Sequence, residues 1–222
     1  MPFISWEPVY LSLKVAFLAT LLSIVAGVPL AWLLARRKLP WTDALGGLVT
    51  LPMVLPPTVL GYYLLLLIGR QTWLGKLWEA WFGRPMVFTW QAAVLASSLV
   101  AVPLLVRSAQ AGFETVNPQL EAAARTLGRS EASVFFTVTI PLAWRGILAG
   151  TVLAFTRAMG EFGATLMVAG NIPGQTQTLS IAIYDAVQAG DSTLANTLVL
   201  VISGITVTVL LLLNRLAKPP RW

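Results

Sequence analysis

Long apolar runs recur along this chain, and they constrain its fold more than any other feature. Five stretches of about 20 residues or more carry almost no charged side chains: residues 10–35, 44–69, 90–111, 146–169 and 194–213. A helix of about 20 apolar residues is long enough to cross a bilayer core of roughly 30 Å. Only 11% of the residues are charged, against roughly 25% in an average soluble domain. The sequence therefore predicts an all-α polytopic membrane protein with about five transmembrane helices, forming one domain over residues 1–222.

Basic residues between the runs predict the orientation. With the N-terminus outside, the outer segments carry only Lys14, Arg70, Lys76 and Arg84. The inner segments then carry Arg36, Arg37, Lys38, Arg107, Arg125, Arg129, Arg145, Arg215, Lys218 and Arg221. This excess favours an N-out, C-in topology by the positive-inside rule. The net charge of +6 and the pI of 10.2 thus reflect membrane topology, and we expect no nucleic-acid partner.

Several kinds of chemistry are excluded by composition. The chain has no Cys and no His, so thiol chemistry, disulfides and the usual zinc and haem ligand sets are absent. It also has no phosphate-binding loop of the G-x-x-x-x-G-K-[ST] type, so it cannot be an ATPase by itself. We expect no catalytic residue, no metal site and no cofactor bound by this chain.

The outer segment Thr72–Phe82 places Trp73, Leu77, Trp81 and other apolar residues at helical spacing before Gly83 and Pro85. This pattern predicts a short helix lying in the headgroup layer. An interfacial aromatic belt is the simpler interpretation, and a ligand-stacking role is the alternative.

A polar segment of residues 112–145 separates the third and fourth runs. Asn117 and Pro118 are typical of a helix N-cap and first position, and Gly128 predicts the end of that helix. A second short helix is expected toward Ile140 and Pro141. The simplest interpretation is a surface helix without a partner.

The same segment resembles the EAA loop of ATP-binding-cassette importer permeases, through Glu121, Ala122, Ala123, Ala124, Gly128 and Ile140-Pro141. In that family the loop forms a coupling helix that docks on a cytoplasmic ATPase. The resemblance implies coupling roles for Glu121, Ala123, Ala124, Gly128 and Pro141. The interval from Glu121 to Gly128 is one residue longer than usual, so either Glu121 is displaced from its family position or the turn has an extra residue.

Two further stretches resemble molybdate importer permeases: Leu51 to Tyr62, and Gly160 to Leu166 running on to Thr178. The second motif is shared with sulfate and tungstate permeases, which leaves those oxyanions as alternatives. The resemblance implies a type I importer-like permease core in a prokaryotic inner membrane, acting as a homodimer. It also implies a cytoplasmic ATPase dimer that holds ATP and Mg²⁺, and an extracytoplasmic oxyanion-binding protein.

Prolines in the second run allow the same stretch to be interpreted without the family. Pro52, Pro56 and Pro57 each lack an N–H, so this run cannot be one regular helix. Irregular backbone at membrane depth survives where it is buried in protein or lines a wet cavity. A pathway wall is the favoured interpretation, and a proline that opens a helix near the inner interface is the alternative.

The fourth run contains both a small-residue stripe and two charges. Gly146, Gly150, Ala154 and Ala158 recur every four residues and predict a seam for close helix packing. Arg157 and Glu161 lie four residues apart inside the membrane, where they can form a self-neutralising structural pair. The alternative is that Glu161, with Gly160 and Gly163, forms part of a gate or of its dimer contact.

Polar residues around the end of the fourth run are also candidates. Thr165, Asn171, Thr176 and Thr178 could donate to an anion near the outer mouth, or serve as ordinary cap and loop residues. The competing functions are an intramembrane enzyme that uses Arg157 and Glu161, and a membrane assembly protein that transports nothing. No nucleophile and base accompany the pair, which disfavours the enzyme.

Overall fold

The computed structural model describes residues 5–36 and 41–217, with side chains through residue 212. Within those ranges the chain is helical and has no strand. Arg37, Lys38, Lys218 and Arg221, which entered the orientation argument, lie outside the described residues. The helices are α1 (Glu7–Arg36), α2 (Thr42–Val54), α3 (Pro57–Ile68), α4 (Trp73–Phe82), α5 (Trp90–Glu114), α6 (Pro118–Thr126), α7 (Glu131–Val134), α8 (Ile140–Met159), α9 (Gly163–Ala169), α10 (Leu179–Gln188) and α11 (Ser192–Ala217), with a π-helical turn at Phe135–Thr139 between α7 and α8.

Four of these helical stretches are long and apolar enough to cross a membrane. They are α1, α5, the continuous helix Glu131–Met159 and the described part of α11, with mean hydropathies of 2.2, 1.8, 1.5 and 2.2. The bent pair of α2 and α3 passes the same test when taken together, which brings the number to five. The predicted all-helical fold with about five spans is therefore confirmed.

The second span is broken at its prolines, as predicted. Leu55 and Pro56 adopt extended conformations, Pro57 is the first residue of α3, and the two helices differ in direction by 112°. Gly46 in α2 accepts a hydrogen bond from Arg107 of α5, whereas Ile68 at the end of α3 lines a groove with Leu95 of α5. Arg107 lies toward the end of α5 and Leu95 near its start, so α2 and α3 contact different parts of α5 and the break lies partway along the span.

The fourth span differs from the predicted continuous run over residues 146–169. Its helix begins earlier, at Glu131, passes through the π-helical turn and ends at Met159. Residues 160–162 then leave the helix, and α9 begins at Gly163. This helix therefore starts within the predicted inner segment of residues 112–145. The second short helix expected toward Ile140 and Pro141 is present as α7 and the π-helical turn, which continue directly into α8.

Close packing of α8 against α5 forms the centre of the bundle. A β-carbon added to Gly146 would lie 2.6 Å from the Cα atom of Gly112, and one added to Gly150 would lie 2.9 Å from the Leu105 carbonyl oxygen. Ser108 Oγ donates a hydrogen bond to the Gly146 carbonyl oxygen at 3.0 Å. Ala154 is fully buried on the same stripe. The predicted seam of small residues is confirmed, and its partner is α5.

Two shorter helices complete the fold. The predicted α4 is present: Thr72 Oγ1 accepts the Gly75 N–H at 3.0 Å at its start, and Gly83 ends it with a φ of +66°. The helix α10 was not predicted. Its first N–H, that of Leu179, donates to Ser12 Oγ of α1 at 2.7 Å, and this buried contact joins α10 to the first span.

Candidate translocation site and coupling surface

The two interrupted spans meet at their breaks. A β-carbon built on Gly163 would lie 2.9 Å from Cβ of Pro57, and one built on Gly61 would lie 2.5 Å from Cβ of Met167. These distances require glycine at both crossings, so that α3 and α9 approach closely. Pro56 and Pro57 remain exposed within the single chain. The predicted pathway residues Pro57 and Gly163 are therefore brought into contact across two spans.

Glu161 stands in the break between α8 and α9. Its side chain is buried, its Oε2 lies 2.7 Å from Nη1 of Arg157, and its Oε1 accepts the backbone N–H of Ala164 at 2.9 Å. The carboxylate thus satisfies an orphan donor in the first turn of α9 while it neutralises Arg157. This geometry gives Glu161 a structural role at the break, and its predicted gating role stays a prediction. Gly160 beside it is exposed.

The candidate hydroxyl donors divide into two kinds. Thr165 and Thr178 are buried, and their hydroxyl oxygens have no hydrogen-bond partner among the described residues. Thr176 Oγ1 instead accepts the Ile172 N–H at 3.0 Å, and Asn171 Nδ2 donates to Asp185 at 2.6 Å. Thr176 and Asn171 therefore hold the loop after α9 in place. The unpaired hydroxyls of Thr165 and Thr178 are unusual, because buried polar groups are normally hydrogen-bonded.

The coupling segment has the local structure that its sequence predicts. Asn117 Oδ1 accepts the Gln119 N–H at 2.9 Å, and Pro118 is the first residue of α6. Gly128 ends the segment with a φ of +79°, a conformation that favours glycine. The predicted start and stop of the helix are both confirmed.

Glu121 lies on the inward side of α6. Its side chain is only 8% exposed and its Oε1 lies 2.6 Å from Nη2 of Arg36. The same oxygen accepts a hydrogen bond from Thr139 Oγ1 at 2.6 Å. A buried carboxylate needs such partners, so Glu121 turns toward the interior. Its predicted role in coupling to the ATPase stays a prediction.

An apolar stripe faces outward from α6 instead. Leu120 and Leu127 are 49% and 84% exposed, and Ala123 between them is also exposed, whereas Ala124 is half-buried. The spacing i, i+3, i+7 places Leu120, Ala123 and Leu127 on one face. We call these three residues the coupling stripe.

An exposed ion pair lies beside the stripe, between Arg125 and Glu131. The pKa of the Arg125 guanidinium is raised because it donates hydrogen bonds to the Glu131 carboxylate. The pair ties α6 to the start of the following helix on the same surface. The predicted coupling residue Pro141 is also exposed, in the first turn of α8.

Arg36 and Thr139 were not predicted as part of the site. Arg36 lies in a basic cluster that local analysis assigns to membrane topology, and Thr139 has no distinguishing pattern around it. Their link to Glu121 spans 85 and 18 residues respectively. Only the folded chain shows such a contact. No group of three or more carboxylates that could hold a metal ion occurs among the described residues.

Comparisons with known proteins agree with this architecture. The profile of the family described as binding-protein-dependent transport system inner membrane component matches residues 27–218. The chain is 48% identical over 183 residues to the molybdenum transport system permease protein of Escherichia coli K12, covering 82% of this chain and 80% of that protein. It is 44% identical over 190 residues to a putative molybdenum transport system permease protein of Bacillus subtilis, covering 86% and 84%.

Solved structures share the fold. A chain of the MetNI methionine ABC transporter in an inward-facing conformation superposes with a TM-score of 0.72 and 18% identity, covering 98% of this chain and 97% of that chain. A chain of a bacterial ABC transporter that imports alginate gives a TM-score of 0.65 at 16% identity, covering 94% and 78%. The predicted importer-permease core is confirmed.

Proposed function

Because this chain belongs to the family of binding-protein-dependent transport system inner membrane components, we propose that it is the membrane-spanning permease subunit of an ATP-driven molybdate importer. The observation that carries the proposal is the contact of Pro57 with Gly163, where two interrupted spans meet at a face that the single chain leaves exposed. Non-helical backbone at that depth is tolerated where it lines a pathway or is buried in protein. The choice of molybdate is supported by the names of relatives that are 44–48% identical over most of the chain.

The partner that supplies energy is a cytoplasmic ATPase, which binds the coupling stripe of Leu120, Ala123 and Leu127. This assignment is supported by the exposure of all three residues on one side of α6 and its C-cap, Leu127. Exposed apolar residues grouped on one surface typically mark an interaction site. The small side chains of Ala123 and Ala124 keep α6 narrow, and Gly128 ends the segment. A groove on the ATPase can therefore receive the helix. ATP and Mg²⁺ bind to that ATPase, and this chain is not catalytic.

The assembly is a homodimer that receives its cargo from an extracytoplasmic binding protein. Five spans make a small bundle. Few residues of the described part of α11 are buried, and Leu142 and Leu153 of α8 are exposed. Two copies facing each other would enclose the meeting point of the broken spans. Oligomers of identical chains most often have this two-fold symmetry.

The direct test is uptake by sealed proteoliposomes that contain this chain and its ATPase, with ATP inside and the binding protein with labelled molybdate outside. We expect ATP-dependent accumulation that unlabelled molybdate suppresses at lower concentration than tungstate or sulfate. Preferential suppression by sulfate would reassign the cargo. An absence of flux in a correctly assembled complex would instead support the assembly-protein hypothesis.

Docking is tested separately with Ala123→Trp, because a large ring at the centre of the coupling stripe would prevent close seating of α6. We expect the variant to insert normally and to lose the ATPase on copurification. Ala80→Trp, an exposed residue of α4, is the matched control for the bulk of the new side chain. Retention of the ATPase by Ala123→Trp would show that this stripe is not the docking surface.

A further inference from the structure

A cavity of about 540 Å³ lies where the start of α1 meets the loop before α5 and the loop after α9. Its walls include Glu7, Tyr10 and Lys14 of α1, together with Arg84 and Trp90. The volume falls in the range of about 300–1,000 Å³ that is typical of small-molecule sites. By the predicted N-out topology, this end of the bundle lies at the extracytoplasmic surface of the membrane. Thr176, a candidate anion donor in the sequence analysis, also lines this cavity, but its hydroxyl oxygen accepts the Ile172 N–H.

Lys14 is the unusual residue in this cavity. Its Nζ lies 3.7 Å from the centroid of the Trp90 ring, and no carboxylate lies within ion-pair distance of it among the described residues. Lys14 follows Glu7 by seven residues, which corresponds to roughly 10 Å along the helix axis. Lys14 is half-buried, and a partly buried ammonium is costly without a counter-ion. The cation–π contact with Trp90 stabilises the ammonium, but it supplies no hydrogen-bond acceptor that carries a full negative charge.

The remaining charges of the cavity define what would complement Lys14. Arg84 is exposed and adds a second cation, and Glu7 adds one carboxylate that forms no ion pair within the described part of the chain. The carboxylate of Glu7 lies beside the loop after α9, since a β-carbon on Gly174 would be 3.2 Å from its Oε2. The cavity therefore presents two donors for an anion and one acceptor for a cation. Tyr10 and Trp90 add aromatic surface of the kind found at lipid headgroup level.

We propose that this cavity binds the zwitterionic headgroup of an amine-bearing phospholipid from the outer leaflet. The phosphodiester accepts hydrogen bonds from Lys14 and Arg84, and the primary ammonium donates to Glu7. Charge-assisted hydrogen bonds of this kind are the stronger ones available in proteins. The lipid would fasten α1 to the loops that precede α5 and follow α9. This inference depends on the membrane orientation and not on the identity of the cargo.

The test uses the full chain with its copurifying subunits in nanodiscs that contain equal amounts of phosphatidylethanolamine, phosphatidylglycerol and phosphatidylcholine. Lipids retained after mild release are counted by native mass spectrometry. We expect phosphatidylethanolamine to be retained preferentially, because only its headgroup combines the phosphodiester with a primary amine. Lys14→Met should lower that retention at least about fivefold, and Lys14→Arg should preserve most of it.

Two further variants separate the explanations. Glu7→Gln should abolish the preference for phosphatidylethanolamine over phosphatidylglycerol while the phosphate contact persists. Lys76→Met removes an exposed lysine of α4 outside the cavity and should change nothing. The proposal is overturned if Lys14→Met retains as much phosphatidylethanolamine as Lys76→Met does. It is equally overturned if inorganic phosphate at millimolar concentration displaces the retained lipid. It is also overturned if the three headgroups are retained equally, or if Lys14→Met weakens only the docking of the binding protein.

Discussion

Glu121 Oε1 accepts hydrogen bonds from both Arg36 and Thr139, each at 2.6 Å, so that one carboxylate oxygen joins three separate segments. Arg36 ends α1, Glu121 lies on the coupling helix α6, and Thr139 ends the π-helical turn before α8. An ion pair with partly buried partners holds its geometry more firmly than an exposed pair. We infer that α6 moves together with the ends of α1 and α8, which is the connection that a coupling helix needs.

The first prediction concerns the pair of Arg36 and Glu121. Arg36→Met should destabilise the protein more than Glu121→Leu, because it leaves a carboxylate that is 8% exposed without its cation, whereas the Arg36 side chain is 19% exposed. The coupling energy from a double-mutant cycle should be about 1–3 kcal/mol. Apparent melting temperature and hydrogen exchange of residues 118–126 measure the effect. Independent, additive losses in the double variant would show that the two residues do not interact.

Gly128 is expected to act through its backbone conformation. No atom lies within 4 Å of a β-carbon added there, but its φ is +79°. Gly128→Asn should be tolerated because Asn adopts this region readily, whereas Gly128→Val should cost about 1–3 kcal/mol and weaken binding of the ATPase. Binding affinity for the isolated ATPase is the measurement. Equal loss in both variants would indicate steric obstruction at the interface instead.

The crossing of α5 and α8 should not accept a single methyl group. Gly146→Ala would bring Cβ to 2.6 Å from the Gly112 Cα atom, so the helices would have to separate, at a cost of about 1–3 kcal/mol. Gly204→Ala is the matched control, since nothing lies within 4 Å of its added β-carbon. The control should be neutral or stabilising by up to about 1 kcal/mol. Thermal stability in detergent compares the two, and equal stability would contradict the close crossing.

Substitutions of Glu161 distinguish its structural role from gating. Glu161→Gln can still accept the Ala164 N–H but leaves Arg157 without its counter-ion, so we expect normal assembly and a decrease in uptake per ATP hydrolysed. Glu161→Ala removes both contacts and should also lower the yield of folded protein. Uptake and ATPase activity are measured on the same preparation. A Glu161→Gln variant that fails only in membrane insertion would leave a structural role alone.

Local patterns in the sequence predicted much of the architecture. Apolar runs of sufficient length predict spans whatever their neighbours do, because the bilayer imposes the same requirement on each one. Asn117, Pro118 and Gly128 set the ends of α6 through their own backbone preferences, and the prolines at 56 and 57 break the second span for the same reason. These effects act within a few residues and need no knowledge of the tertiary structure.

The remaining features depend on contacts between distant segments. Hydropathy does not show that the fourth span extends back to Glu131 or that it is interrupted at residues 160–162. A helix with a polar first turn has the same composition as a loop followed by a shorter span, and a capped break does not change the composition of the run. The inward turn of Glu121 depends on Arg36, which is 85 residues away. Sequence alone therefore determined that the chain crosses the membrane, where α6 starts and stops, and where the second span breaks. Which small residues touch, which charges pair and where the two breaks meet were decided by the tertiary structure, because those contacts exist only once the helices have packed.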